Sequence, residues 1–121
     1  VYVTTLDGQP ITTSRKLLLG FVGRSRNTGQ TADRSTEPRG VHPTVWSIRN
    51  PGAGPVIMEP VRASVTVKNA LAGTWTLLGV DVRGLPLPAS PRVLKPASGD
   101  KLTLDIDTAD ARTPLFLLTH E

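Results

Sequence analysis

Two aspartates two residues apart, a lone glutamate in an apolar segment, two separated histidines and a tryptophan near an arginine are the groups here that invite chemistry. Asp105 and Asp107 lie in Lys101 to Asp107, where Leu102, Leu104 and Ile106 alternate with Thr103 and the aspartates. Period two places both carboxylates on one strand face, opposite an apolar one. Cleaving a glycosidic bond takes two carboxylates on either side of it, so two neighbours on one face read instead as a solvated surface. Adding Asp110 gives an oxygen set of the calcium type, but Asp-x-Asp on a flat strand splays the ligands. His42 and His120 stand alone, and the chain has no Cys, which removes thiolate nucleophiles, disulfides and cysteine-ligated zinc. No catalytic residue, metal site or cofactor site is assigned.

Glu59 stands between Met58 and Pro60. A carboxylate in apolar surroundings needs a partner, and Arg24 or Arg62 can supply it, so Arg24 and Glu59 are candidates for a structural ion pair. Aromatic side chains bind sugars by stacking, but only five aromatics occur. Phe21 and Phe116 sit in apolar runs, and Trp75 alternates with Leu77; all three read as core. Trp46 lies between His42-Pro43 and a Pro-Gly-rich turn, close to Arg49, and reads either as core or as an exposed contact. Trp46, Arg49 and His42 are therefore the candidates for carbohydrate contact.

Strands must position these groups. The chain has 121 residues with 11 Gly and 11 Pro. That length fits one domain with a core of its own. Val1 to Leu6 is β-branched and alternating, and stops at Asp7-Gly8-Gln9-Pro10. A chain that opens in mid-strand reads as excised from a longer one. Lys16 to Val22 is a nearly continuous apolar run of the kind buried on both faces. The polar stretch from Arg24 to Gly40 reads as a long loop, and Val41 to Ile48 as a short strand carrying Trp46. Strands are also expected at Val56 to Glu59, Val61 to Lys68, Thr74 to Val82, Arg92 to Leu94, Lys101 to Asp107 and Pro114 to His120, with the first and last close together. About eight strands, no helix, and Gly and Pro turns predict an all-β fold: an antiparallel β-sandwich, immunoglobulin-like or jelly-roll-like, as a single domain over 1–121.

The net charge is +4. Residues 15–49 hold seven basic residues against Asp33 and Glu37. No aromatic lies between these arginines to stack a base, so a solvated loop is favoured and no nucleic-acid partner is expected. No apolar run reaches the length of a membrane-spanning helix, and no membrane partner is expected.

Several short motifs agree in order and spacing: Leu6-Asp7-Gly8-Gln9-Pro10-Ile11, Thr13 to Leu19, Val22-Gly23-Arg24 with Asn27-Thr28-Gly29, Gly54-Pro55-Val56 through Val61, and Leu78 to Asp81 with Gly84. Together, over about residues 4 to 84, they resemble the C-terminal β-sandwich accessory modules that follow the (β/α)8 catalytic barrel in some bacterial glycoside hydrolases. The resemblance implies a non-catalytic module of a secreted polysaccharide-degrading enzyme, extracellular or periplasmic. Its implied partner is the catalytic barrel of the same parent chain, with polysaccharide as a second. The family's catalytic carboxylates lie in the barrel, so none carries over. A stand-alone carbohydrate-binding module and an adhesion or interaction domain of a cell-surface protein remain alternatives.

Overall fold

In the computed structural model the chain is all-β, with antiparallel pairing throughout the described residues, which are 1–35, 45–88, 91–95 and 100–121. Eleven strands are described: β1 (Tyr2–Thr5), β2 (Lys16–Gly20), β3 (Ser25–Thr28), β4 (Thr31–Ser35), β5 (Val45–Asn50), β6 (Ala53–Met58), β7 (Arg62–Lys68), β8 (Trp75–Val80), β9 (Arg92–Leu94), β10 (Lys101–Asp107) and β11 (Leu115–His120). Two compact units result, one of residues 1–22 and 60–121, the other of residues 23–59.

The larger unit holds a five-stranded sheet in the order β1-β2-β11-β8-β9 and a two-stranded β10-β7 sheet. The first and last strands both flank β2 rather than pairing with each other. Leu17, Leu19, Phe21, Trp75, Leu77, Phe116 and Leu118 from the large sheet share one core with Val67, Leu102, Leu104 and Ile106 from the small one. Alternation explains the register: in β10 every second residue is buried, and Leu102 pairs with Val67 while Ile106 pairs with Ala63. Phe21 and Phe116 meet edge to face at 5.7 Å between ring centroids. The three aromatics read as core are all buried. In β2, Leu17 and Leu19 are fully buried but Leu18, on the other face, is only half-buried, so the run is not covered equally on both sides.

A polar knot ties the loops of this unit together. Asn69 is buried; its side-chain amide donates to the carbonyls of Ile11 at 2.7 Å and Ser14 at 2.9 Å. Its side-chain oxygen accepts from the Leu71 N–H at 2.9 Å. Ser14, fully buried, donates its hydroxyl to Asp7 at 2.7 Å, and the Arg15 N–H donates to the same carboxylate at 2.7 Å. Gly73 follows with a φ of +129°, and a Cβ there would meet His120 Nε2 at 2.9 Å. His120 is half-buried. It stands against Trp75 at 4.9 Å between centroids, with Nε2 2.9 Å from the Ala72 carbonyl. A carbonyl only accepts, so Nε2 carries a hydrogen.

One helical turn, α1 (Thr108–Ala111), departs from the all-strand expectation. Asp107 caps it: its carboxylate accepts from Ala109 N at 2.9 Å and Asp110 N at 3.4 Å. Arg112 closes it in the left-handed region. A single turn carries no 3.6-residue periodicity, which is why the sequence reads straight through it.

Three aspartates anchor turns in this unit, and each carboxyl lies below the usual carboxylate range. The cause is mainly the Ser14 hydroxyl bond for Asp7, the Leu85 N–H for Asp81 and the Ala109 N–H for Asp107. A lowered native value means that the stabilisation is complete above the unfolded value and disappears as pH falls through the native one. Chemical denaturation followed against pH should show stability falling from about pH 5 downward. Asp7→Asn should be less stable at neutral pH and flatter over that acid range.

Candidate functional site

The described residues of the 23–59 unit form a two-stranded ribbon. β3 pairs with β6, matching Arg26 with Ile57 and Asn27 with Val56; β4 pairs with β5, matching Arg34 with Trp46 and Ala32 with Ile48. The loop expected over 24–40 is corrected within the described residues: strands occupy Ser25–Thr28 and Thr31–Ser35, and 36–40 lie outside the described residues. Hydrophobic periodicity marks a strand only where one face is buried, and no described side chain in this unit is buried. β3 and β4 are mainly polar and pair through their main chain, which leaves no such mark.

Both ladders shift register near the middle, between Asn27 and Thr28 and between Thr31 and Ala32. Side chains take over there. Asn27 Nδ2 donates to the Pro51 carbonyl at 2.9 Å, and the Thr28 hydroxyl donates to the Pro55 carbonyl at 2.7 Å. Gln30 N donates to the Asn27 carbonyl at 3.1 Å, closing the turn expected at Asn27-Thr28-Gly29. Gly52 has a φ of +68°, and a Cβ on it would stand 2.5 Å from the Thr28 carbonyl, so only glycine suits this crossing.

Trp46 is 65% exposed and Ile48 61% exposed. Two residues apart on β5, they share a face with their cross-strand partners Arg34 and Ala32. Of the two readings of Trp46, the exposed one describes the structure. Arg49 lies on the opposite face of the strand and makes an ion pair with Asp33, so Trp46 and Arg49 do not converge on one ligand position. His42 lies outside the described residues. On β6, Val56 and Met58 share one face and Ile57 takes the other, all exposed.

Arg24 Nε donates to Glu59 Oε2 at 3.1 Å, and the Glu59 N–H donates to the Arg24 carbonyl at 2.8 Å. The pair forms as expected, but in water: the side chains are 91% and 56% exposed. The apolar setting expected for Glu59 is corrected, because a two-stranded ribbon has no layer to bury it. Exposed pairs contribute little to stability. Arg62, the other candidate partner, pairs with Asp107 instead.

The ribbon's apolar set was only partly legible. Trp46 was visible as an aromatic beside a turn. Ile48, Val56, Ile57 and Met58 resemble any strand interior, and only their exposure singles them out. Among the described residues, no group of three or more His, Cys, Asp or Glu is placed to hold a metal ion. No described helix is long and apolar enough to cross a membrane. Comparison with protein families, with curated proteins and with solved structures returns no match.

Proposed function

We propose that the chain is a non-catalytic accessory β-module of a secreted bacterial glycoside hydrolase, packing on the catalytic barrel of its parent through residues 23–59. The supporting observation is the exposed apolar set Trp46, Ile48, Val56, Ile57 and Met58 on a ribbon in which no described side chain is buried. Exposed apolar side chains that share a face, as Trp46 and Ile48 do on β5 and Val56 and Met58 do on β6, favour an interaction surface there, and two strands alone are marginal in water without a partner. The motif series from Leu6 to Gly84, which resembles such modules, supports this choice of parent. Determining the coding sequence around the chain tests this reading: a (β/α)8 catalytic domain in the same reading frame is expected, and its absence contradicts the assignment.

The exposure of Trp46 also favours a second reading, a carbohydrate-binding module with the indole as a stacking platform. Affinity electrophoresis on a panel of polysaccharides separates the two. Under the docking reading neither the wild-type chain nor Trp46→Ala is retarded on any polymer. Retardation of the wild type that is lost in Trp46→Ala establishes sugar binding.

A further inference from the structure

Within the larger unit a cleft of about 770 Å³ opens beside β10, with Leu77, Gly79, Ile106 and Phe116 in its lining and Arg92 and Asp105 at its polar side. Its volume lies in the range of ligand sites. The direction of the β10 main chain shows what kind of ligand. Asn69 N–H donates to the Asp100 carbonyl at 2.7 Å, and Thr108 N–H donates to the Val61 carbonyl at 3.0 Å. These bonds flank the β10-β7 ladder, whose register matches Leu102 with Val67, Leu104 with Val65 and Ile106 with Ala63. Hydrogen-bonded and non-hydrogen-bonded pairs alternate in an antiparallel ladder. Leu102, Leu104 and Ile106 therefore direct their main-chain groups to β7, and Lys101, Thr103 and Asp105 direct theirs to the outer edge. Arg92, on the edge strand of the other sheet, confirms the direction: its Nη1 donates to the Asp105 carbonyl at 2.6 Å. Among the described residues, β10 has no strand partner on that side.

We propose that this cleft accepts an extended peptide segment of a partner protein, which adds to the outer edge of β10 as a further strand. An extended peptide supplies main-chain donors and acceptors at the spacing that Thr103 and Asp105 require, and alternate apolar side chains to enter the cleft over Leu77 and Phe116. A compact small molecule meets the second need but not the first. Arg92 holds the Asp105 carbonyl in the free chain and gives way when the peptide arrives. The residues that line this site all belong to the larger unit, and the proposal stands without the reading of the ribbon.

The probe is a short peptide alternating valine with threonine, with a lysine at each end. The expected result is a set of NMR shift changes centred on the amides of Thr103 and Asp105 and the side chain of Leu77. Asp105→Pro removes an edge N–H that the β10-β7 ladder does not use; it should weaken binding about tenfold. The same peptide N-methylated at alternate positions should lose binding to the wild-type chain by a similar factor, which keeps the test decisive if the proline variant does not fold. Shift changes confined to residues 23–59, binding unaffected by N-methylation, or self-association of the chain through β10 in place of peptide binding would each overturn the proposal.

Discussion

Trp75→Ala should lower the melting temperature by on the order of 10–20 °C, through a loss of about 3–5 kcal/mol. Trp75 is the largest fully buried side chain. It packs in the same core cluster as residues of both sheets, with His120 against its ring. An alanine leaves a hole at the centre of that cluster. For a domain whose whole stability is about 5–15 kcal/mol, that is a large fraction. Trp75→Phe should lose far less. The indole Nε1 has no hydrogen-bond partner among the described residues, so phenylalanine removes volume without breaking a bond. Thermal denaturation of the two variants side by side checks this; equal losses would mean that the indole N–H, not the ring, holds the site.

Asn69→Ala should destabilise by about 2–4 kcal/mol although it removes few atoms. The side chain acts as a piece of main chain: two donors reach the Ile11 and Ser14 carbonyls, and one acceptor receives the Leu71 N–H. Alanine leaves these three backbone groups without that partner, the Ser14 carbonyl in a buried place and the other two in partly buried ones. Asn69→Asp is the sharper test because it is nearly isosteric. It keeps the acceptor for Leu71, loses both donors and sets a negative charge against two carbonyl oxygens, so it should be worse than alanine at neutral pH. Part of its loss should return on acidification, as the protonated carboxyl regains one donor. Denaturant titrations at two pH values measure both effects.

The strands of the larger unit were legible wherever one face is buried. β10 and β7 alternate cleanly, and Leu17, Leu19, Trp75 and Phe116 declare the core. Asn69 was not legible: before Ala70 it reads as an ordinary turn residue, and its value comes from carbonyls more than fifty positions away in sequence. Strands β5 and β6 of the ribbon were expected from their apolar residues, but β3 and β4 were hidden for the opposite reason. Polar residues paired through their main chain, with no described side chain buried among them, have no hydrophobic period to read. Trp46 could be named as a candidate contact, but whether it faced solvent depended on a covering layer that sequence patterning does not reveal. The β10 edge was equally invisible, since the direction of main-chain groups leaves no trace in side-chain types.

The most direct test of docking through residues 23–59 is hydrogen–deuterium exchange of segment 45–58, compared between the isolated chain and its full-length parent protein. Docking predicts fast exchange in the isolated chain, because this ribbon is not buried, and at least about tenfold slower exchange in the parent, a local stabilisation of about 1.4 kcal/mol. The core strands β10 and β11 serve as the internal reference. Equal exchange of segment 45–58 in the two proteins, with the reference strands unchanged, would contradict it.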